Sequence, residues 1–282
     1  MLTILELLTK TTDYFSKTGI ESPRLNAELL LCDVLRCRRL DLYLKFEEVP
    51  DTQQIDKFRD YVKRRAKSEP LQYITGYCDF YGIRIEVNPT VLIPRPETEL
   101  LVERVLQDHS TPIRILDLCT GAGIIPIALA KNLEGCKITA VDISDKALET
   151  ARKNSIKNEV EDAIDFVKAD IKIIPLPIES NFDVITANPP YISISDYENL
   201  ETGILNFEPK KALTDNADGL TFYKHILNIA EIYLKSNGKI YMEFGTKQSD
   251  RLMNLLTEFG YQNIEIINDY GKNPRIITGE KK

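Results

Sequence analysis

The stretch IRILDLCTGAG, residues 113–123, joins an apolar run to a glycine-rich turn. Ile113, Ile115 and the two leucines are typical of a strand that is buried in a sheet. Gly121 and Gly123 let the backbone approach a ligand closely and allow a helix to begin tightly. The stretch therefore predicts a strand, a ligand-binding turn and a helix that begins at Gly123.

Strand and helix patterns alternate after this stretch. Apolar runs that predict strands lie at residues 137–143, 164–170, 182–188 and 238–245, the last after a turn predicted at Asn237–Gly238. Helical patterns occur between them, and the alternation predicts a parallel sheet with helices on both faces. IEIIND (264–269) and RIITGE (275–280) flank a turn-rich stretch and predict a final antiparallel pair.

Two further regions precede this predicted sheet domain, which we place at 98–282. Residues 1–75 carry helical apolar patterns with almost no glycine, and predict a small helical bundle. Residues 76–97 are rich in aromatic and β-branched residues, and predict a β-hairpin connector with its turn near Tyr81–Gly82 or Asn88–Pro89. The fold class is therefore α/β, preceded by a helical domain.

Capping residues predict where two helices of the first region begin. Ser22 followed by Pro23 is a favourable N-cap and first-turn pair. Asp51 or Thr52 opens a second helix, which we expect to end before Pro70.

Composition limits the kinds of ligand that the chain can take. The net charge is −7 and the pI is about 5.2, which disfavours a nucleic-acid polyanion as partner. The five cysteines form no CxxC pair and are odd in number, so neither a zinc site nor a disulfide framework is indicated. With only two histidines, far apart in sequence, we expect no metal site.

No signal peptide is evident in the sequence. The first residues, MLTILELLTKTTDYF, carry Glu6 and Lys10 within the apolar pattern, which is typical of an amphipathic helix. No run of about 18 apolar residues predicts a membrane span. We therefore expect a cytoplasmic protein with reduced thiols, without membrane contact and acting as a monomer.

Acidic residues close three successive predicted strands. Asp117 precedes the glycine turn, Asp142 lies 19 residues after Gly123, and Asp170 ends the next strand. An acidic residue at about the spacing of Asp142 binds ribose hydroxyl groups, and Asp170 suits the exocyclic amine of an adenine. Taken alone, Asp142 could instead cap the following helix, as Ser144 could. Together the three residues indicate a nucleoside site beyond the carboxyl ends of the strands.

The turn lacks the features of a phosphate cradle. Its pattern is GxG with Pro126 at the third glycine position, and the Walker lysine is missing. A nucleoside without a pyrophosphate fits better, and S-adenosylmethionine is such a ligand. Its amino-acid end would lie near Asp117 and the glycine loop, with its ribose at Asp142.

The fourth strand ends in Asn188, Pro189, Pro190 and Tyr191, where the prolines must terminate the ladder. The side-chain oxygen of Asn188 and the carbonyl group of Pro189 could accept hydrogen bonds from a planar nitrogen that attacks a methyl group. Tyr191 could pack its ring on that planar group. Catalysis would then depend on positioning and electrostatics, without a general base.

Several motifs resemble a known family. DLCTGAG, AVDIS and ANPPYI resemble class I S-adenosylmethionine-dependent methyltransferases that act on amino nitrogens. EPLQYITGYCDFYG, VLIPRPETE, FEPKKAL, EFGTKQ and DYGKNPR resemble, more narrowly, the HemK/PrmC family. These are protein-(glutamine-N5) methyltransferases of peptide chain release factors, which act in translation termination. The resemblance covers nearly the whole chain. It implies a Rossmann-like sheet domain that is preceded in the sequence by a helical N-terminal domain.

The resemblance also implies roles for particular residues. Asp142 would bind the ribose, Asp170 and Ile171 would lie beside the adenine, and Arg95 with Glu97 would lie near the methionine end. The cofactor loop would consist of Cys119, Thr120, Gly121, Ala122 and Gly123. Cys119 is a departure, because the family usually has glycine at this position.

Substrate residues follow from the same resemblance. Asn188 would contact both cofactor and substrate, and Asn188 to Tyr191 would hold the glutamine amide of the release factor's Gly-Gly-Gln motif. Phe80 would belong to the wall of the active site. The helical domain would dock the protein substrate, through RCRR (36–39) or KRRAK (63–67), although such runs are more often solvated helix faces.

Three other functions fit the sequence less well. An adenine-N6 nucleic-acid methyltransferase would use the same Asn-Pro-Pro-Tyr chemistry but needs a basic groove. A non-catalytic module should show a damaged glycine loop or a lost Asn188, and neither is seen. An NAD-dependent oxidoreductase is disfavoured by the missing third glycine.

Overall fold

The computed structural model describes residues 2–110 and 113–282. The chain forms two compact units. The first comprises Met1–Gly76 together with Glu201–Phe207, and the second comprises Tyr77–Leu200 with Glu208–Lys282. The chain thus leaves the second unit once and returns to it.

The bounds of the helices and strands are as follows. The α-helices are α1 (Ile4–Lys17), α2 (Pro23–Leu35), α3 (Arg39–Leu44), α4 (Thr52–Arg65), α5 (Leu71–Thr75), α6 (Glu99–Asp108), α7 (Ile124–Asn132), α8 (Asp145–Lys157), α9 (Ile194–Tyr197), α10 (Thr202–Phe207), α11 (Thr221–Tyr233) and α12 (Ser249–Glu258). The strands are β1 (Tyr77–Phe80), β2 (Ile83–Glu86), β3 (Arg114–Leu118), β4 (Lys137–Asp142), β5 (Ile164–Lys168), β6 (Phe182–Ala187), β7 (Leu234–Glu243), β8 (Gln262–Asn268) and β9 (Pro274–Glu280). Short 3-10 helices cover Pro96–Thr98, Glu161–Ala163, Lys210–Ala212 and Thr246–Gln248.

The first unit is helical, and its apolar stripes meet in one core. Leu8, Phe15, Leu30 and Leu31 are fully buried there, and Phe58 of α4 is 1% exposed. Helices α1 and α4 are each apolar along one face, and packing these faces against α2 stabilises all three helices.

Capping explains where these helices begin. The Asp51 side chain accepts a hydrogen bond from the backbone amide of Gln54 and caps α4, as predicted. Ser22 does not cap α2. Its φ of 46° is left-handed, whereas an N-cap residue normally has extended backbone, and its hydroxyl group makes no capping bond. Pro23 opens that helix without it.

The second unit contains a seven-stranded sheet in the order β5-β4-β3-β6-β7-β9-β8. Neighbouring strands from β5 to β7 run parallel, and β9 pairs antiparallel with both β7 and β8. The predicted parallel sheet with an antiparallel end is therefore confirmed. Ile115, Leu116 and Leu118 of β3 are fully buried, as expected for a central parallel strand.

One predicted turn joins the strands it was expected to join, and another lies inside a strand that it was expected to precede. Both Tyr81–Gly82 and Asn88–Pro89 form turns, and the first of them joins β1 to β2, with φ values of 48° and 74°. Asn237, with a φ of 61°, lies within β7 and does not precede it. The strand begins at Leu234 and its pairing with β6 shifts register before Lys239.

The strand order places a crevice beside β3. The chain runs outward from β3 to β4 and β5, and then returns to form β6 on the other side of β3. In such sheets ligands bind where the order reverses, beyond the carboxyl ends of the strands. Leu118, Asp142 and Ala187 end β3, β4 and β6 at this edge.

Candidate active site

A cavity in the second unit opens at this edge of the sheet. Its walls come from the segment after β2, the loops after β3, β4, β5 and β6, and the segment after Glu208. The predicted site residues that line it are Arg95, Cys119, Thr120, Gly121, Ala122, Asp142, Asp170, Ile171, Asn188 and Pro190. The fold thus brings most of the predicted residues to one cavity.

The loop after β3 supplies one wall. Cys119 has a φ of 62°, the left-handed conformation that glycine adopts most readily. Gly121 has a φ of 56° with open space around it. Gly123 does not line the cavity. A Cβ atom there would lie 3.0 Å from the Ala151 Cβ atom, so this glycine allows the loop to pack on α8.

Asp142 holds this loop to β4. Its Oδ2 atom accepts a hydrogen bond from the Gly121 amide at 2.9 Å, and its Oδ1 atom accepts one from the Ser144 amide at 2.8 Å. Burial raises the pKa of Asp142, although these amides lower it. The cap of α8 is Ser144, whose hydroxyl oxygen accepts from the Ala147 amide. Asp142 is therefore free to present its outer face to a ligand.

Asp117 lies beneath the loop and does not line the cavity. Its Oδ1 atom accepts a hydrogen bond from the Thr186 hydroxyl group at 2.7 Å, whereas its buried Oδ2 atom has no well-formed hydrogen bond within residues 2–110 and 113–282. Burial raises the pKa of this carboxyl group to about 7. Thr120 lines the cavity, and in the described part of the chain its buried Oγ1 atom also has no well-formed hydrogen bond, although the Thr120 hydroxyl group helps to lower the pKa of Asp117. The hydrogen-bonding capacity of these two oxygens is therefore only partly used.

Asp170 and Ile171 line the cavity after β5. The Asp170 Oδ1 atom accepts a hydrogen bond from the Lys172 amide at 2.9 Å, which fixes the carboxylate, and Ile171 is 4% exposed. An acceptor beside an apolar wall suits a planar base that carries an amino group.

Asn188 is held by two acceptors. Its Nδ2 atom donates to the Glu243 Oε2 atom at 2.8 Å and to the Thr98 Oγ1 atom at 3.2 Å. The Thr98 hydroxyl group donates to the same Glu243 oxygen. Glu243 is 1% exposed, and burial raises its pKa, although hydrogen bonds from Thr98 and Tyr191 lower it. The nitrogen of the Asn188 amide is thereby engaged, and its oxygen is left for a ligand.

Tyr191 and Pro189 lie next to Asn188 without lining the cavity. The Tyr191 hydroxyl group donates to the Glu243 Oε1 atom at 3.1 Å. The Tyr191 carbonyl oxygen accepts from Gln248 Nε2 at 2.9 Å. Burial beside Glu243 raises the pKa of Tyr191, so the phenol stays protonated and keeps donating. Both ends of Tyr191 are therefore fixed.

Arg95 lines the cavity and is anchored by a buried carboxylate. Its guanidinium group lies 2.6 Å from the Glu208 Oε1 atom, and the Glu208 side chain is 1% exposed. Glu97 and Phe80 do not line the cavity, and Phe80 is 1% exposed. Their implied roles at the cofactor and the active-site wall stay predictions.

Sequence reasoning missed three side chains of this site. Glu243, Thr98 and Glu208 lie in motifs that were noticed only for their family resemblance. One signal pointed to Glu243, because it is a carboxylate inside the apolar strand IYMEF. Thr98 and Glu208 carry no such signal, since a threonine or a glutamate in a loop is ordinary.

Other kinds of site find little support in the structure. Within residues 2–110 and 113–282, no group of three or more His, Cys, Asp and Glu side chains is arranged to hold a metal ion. No helix in the described part of the chain is long and apolar enough to cross a membrane.

Comparison with solved structures shows the fold. The hMettl16 catalytic domain in complex with MAT2A 3'UTR hairpin 6 is 20% identical to this chain, with a TM-score of 0.56. The alignment covers 82% of each chain. At this level of identity the likeness concerns the class I methyltransferase fold alone.

Comparison of sequences shows the family. Residues 6–76 match the PrmC N-terminal domain, and residues 96–216 match the methyltransferase small domain. The release factor glutamine methyltransferase of Rhodopirellula baltica is 38% identical, covering 99% of this chain and 96% of that protein. The one from Leptospira interrogans is 39% identical, covering 97% and 96%. The chain therefore belongs to the release factor glutamine methyltransferase family.

Proposed function

We propose that the chain transfers a methyl group from S-adenosylmethionine to the side-chain amide nitrogen of the glutamine in the Gly-Gly-Gln motif of peptide chain release factors. Family membership over nearly the full length supports the reaction and its substrate. The proposal depends chiefly on the position of the Asn188 side-chain amide. This amide lies at the proposed cofactor cavity, and its nitrogen atom already donates a hydrogen bond to Glu243. This substrate would place the reaction in the cytoplasm.

The cavity fits the proposed cofactor. The fixed carboxylates of Asp142 and Asp170 would bind the ribose hydroxyl groups and the adenine amine, with Ile171 against the base. The partly used oxygens of Thr120 and Asp117 would favour the ammonium group of the amino-acid end. Arg95, held by Glu208, would bind the carboxylate of that end. When bound, S-adenosylmethionine supplies an electrophilic methyl group on a cationic sulfur.

The chain's own contribution to catalysis would be positioning and electrostatics. The lone pair of an amide nitrogen is delocalised, so the nitrogen is a poor nucleophile. Asn188 Oδ1 and the Pro189 carbonyl oxygen would accept hydrogen bonds from its two N–H groups and hold it in line with the methyl group. These acceptors stabilise the positive charge that develops on the nitrogen during attack. The proton that the methylated nitrogen loses afterwards goes to water.

Tyr191 would present its ring to the planar amide of the substrate. Its hydroxyl group is engaged by Glu243 and its carbonyl oxygen by Gln248, so the ring is held on both sides. We assign it no proton transfer, since burial keeps its pKa above the ordinary value.

The helical unit would dock the release factor, and its basic side chains differ in availability. Arg39 bonds to the buried Glu28, Arg64 bonds to Glu69, and Arg65 bonds to Asn26. The other exposed basic side chains of the two basic runs are Arg36, Arg38, Lys63 and Lys67, of which Arg38 pairs with Asp41 at 3.5 Å on the surface. These four are the candidates for docking.

A transfer assay with methyl-labelled S-adenosylmethionine tests the proposal. The acceptors are a purified release factor, its Gln→Ala variant in the Gly-Gly-Gln motif, and duplex DNA. We expect label on the unaltered factor alone. Label on the variant factor would contradict the assigned acceptor, and label on DNA would favour an adenine methyltransferase.

A further inference from the structure

We propose that Glu243 is a positioning residue that sets the orientation of the Asn188 amide and the Tyr191 ring together. This inference rests on the proposed function, which it deepens. Glu243 is 1% exposed and would not touch the substrate, whereas Tyr191 is partly exposed. Glu243 would act through Asn188 and Tyr191, the two side chains that would touch the substrate.

Glu243 and Thr98 together decide which way the Asn188 side-chain amide faces. An amide has a donor end and an acceptor end, and a rotation by half a turn exchanges them. Glu243 Oε2 and Thr98 Oγ1 both lie within hydrogen-bonding distance of Nδ2, at 2.8 and 3.2 Å. The exchanged orientation would bring Asn188 Oδ1 against a carboxylate oxygen, which cannot donate when ionised. Glu243 and Thr98 therefore select the amide orientation that leaves Asn188 Oδ1 as an acceptor for the substrate.

Thr98 sets the donor and acceptor directions of this hydrogen-bond network. The Thr98 hydroxyl group donates its hydrogen bond to Glu243. Toward Asn188, its oxygen can therefore only accept a hydrogen bond. Thr98 is fully buried, so water does not replace either bond. The threonine thus removes the remaining freedom of the amide, because a hydroxyl group with an uncommitted proton could bond to either end.

Tyr191 is held by the same carboxylate. The second oxygen of Glu243 accepts from the Tyr191 hydroxyl group at 3.1 Å. One carboxylate thereby joins the first and the last residue of the Asn-Pro-Pro-Tyr turn. Because β7 lies next to β6 in the sheet, Glu243 at the end of β7 is carried by a rigid element.

Two substitutions of Glu243 separate orientation from charge. In Glu243→Gln, the amide oxygen can accept from Asn188 and Thr98 while the amide nitrogen donates to Tyr191, so the orientation is kept. In Glu243→Leu all these bonds are lost. We expect kcat to fall by about 100-fold in the Leu variant and by less than about tenfold in the Gln variant. The Kd for S-adenosylmethionine should stay within about threefold of wild type in both.

Thr98 and Tyr223 provide matched controls. Thr98→Val keeps the shape but loses the hydroxyl group, and should lower kcat, whereas Thr98→Ser should restore most of the loss. The Tyr223 hydroxyl group donates to the backbone oxygen of Glu243 at 2.7 Å, not to its side chain. Tyr223→Phe therefore perturbs the same strand end, and should lower the melting temperature while leaving kcat close to wild type.

A measurement that does not depend on turnover completes the test. In ¹⁵N-labelled protein, we expect the side-chain amide protons of Asn188 to exchange slowly with solvent, and to exchange faster in Glu243→Leu. The signals are identified by their loss in Asn188→Ala. Unchanged exchange, equal loss of kcat in the Gln and Leu variants, or equal loss of cofactor binding and kcat would overturn the positioning role. A wild-type chain that methylates no release factor would contradict the proposed function, and amide exchange would still decide the orientation.

Discussion

At the scale of the residue, Asn188 is the side chain on which turnover should depend most. Asn188→Ala removes the proposed acceptor for the substrate nitrogen but none of the carboxylates assigned to the cofactor. We expect kcat to fall by a factor of about 100 to 1,000, with the Kd for S-adenosylmethionine within about threefold of wild type. Isothermal titration and single-turnover kinetics measure the two quantities. Parallel losses in both would show that Asn188 serves mainly the cofactor.

Asp142 has the opposite expected profile. Asp142→Ala removes the proposed ribose acceptor and also releases the Gly121 and Ser144 amides that shape the loop. We expect the Kd for S-adenosylmethionine to rise by at least about tenfold, from the loss of charge-assisted hydrogen bonds. Asp145→Ala is the control, since this neighbouring carboxylate is 72% exposed and pairs with Lys168. Equal affinities of the two variants would remove Asp142 from the cofactor site.

At the scale of the element, Gly123 should be needed for the packing of the β3 loop and α7 on α8. In Gly123→Ala the new Cβ atom would lie 3.0 Å from the Ala151 Cβ atom, and the φ of 80° adds backbone strain. We expect a loss of about 2–4 kcal/mol in the free energy of unfolding, from strain and overpacking together.

Gly135→Ala separates these two causes. Gly135 has a φ of 73° but open space around it, so its variant should lose only the part due to backbone strain, about 1–2 kcal/mol. Urea unfolding of both variants measures the difference. If Gly135→Ala is as unstable as Gly123→Ala, close packing on α8 contributes nothing.

The sequence predicted elements better than it predicted their ends. The apolar runs of β3, β4 and β6 are long enough to indicate strands, because both faces of a central parallel sheet are buried. Ser22 shows where such reasoning is limited. Serine before proline favours an N-cap, yet the chain reaches α2 through a left-handed residue that local propensity does not reveal.

At the scale of the whole molecule, Asp117 should make the stability of the fold depend on pH. Its pKa is raised from 3.8 to about 7 in the folded chain, so between these values the folded chain binds more protons than the unfolded chain. Its contribution to stability is therefore full below about pH 4 and is lost as the pH rises to about 7. Asp117→Asn should be more stable than wild type at neutral pH, and should lose less stability between pH 5 and 8.

Urea unfolding of both proteins at these two pH values measures this difference. The comparison with wild type isolates Asp117 from other titrating groups. The same substitution should weaken cofactor binding, because the negative charge proposed to favour the amino-acid end is gone. Identical pH dependence in both proteins would show that Asp117 titrates near its ordinary value.

The arrangement around Asn188 could not be predicted from the sequence. Asn188 lies 90 residues from Thr98 and 55 from Glu243. Local patterns place each of them on a strand end or in a loop, but strand order and register decide that they meet. The position of Asp142 beside the glycine loop could be predicted, because one strand–helix–strand unit links the two. Within such a unit, the distance in sequence reflects the distance in space.

Tandem mass spectrometry of a release factor after reaction with this protein and S-adenosylmethionine locates the methyl group on a single atom. We expect one added methyl group, on the side-chain nitrogen of the glutamine in the Gly-Gly-Gln motif, and none after reaction with Asn188→Ala. A methyl group on any other residue, or an unmodified glutamine after complete reaction elsewhere, would contradict the proposed function.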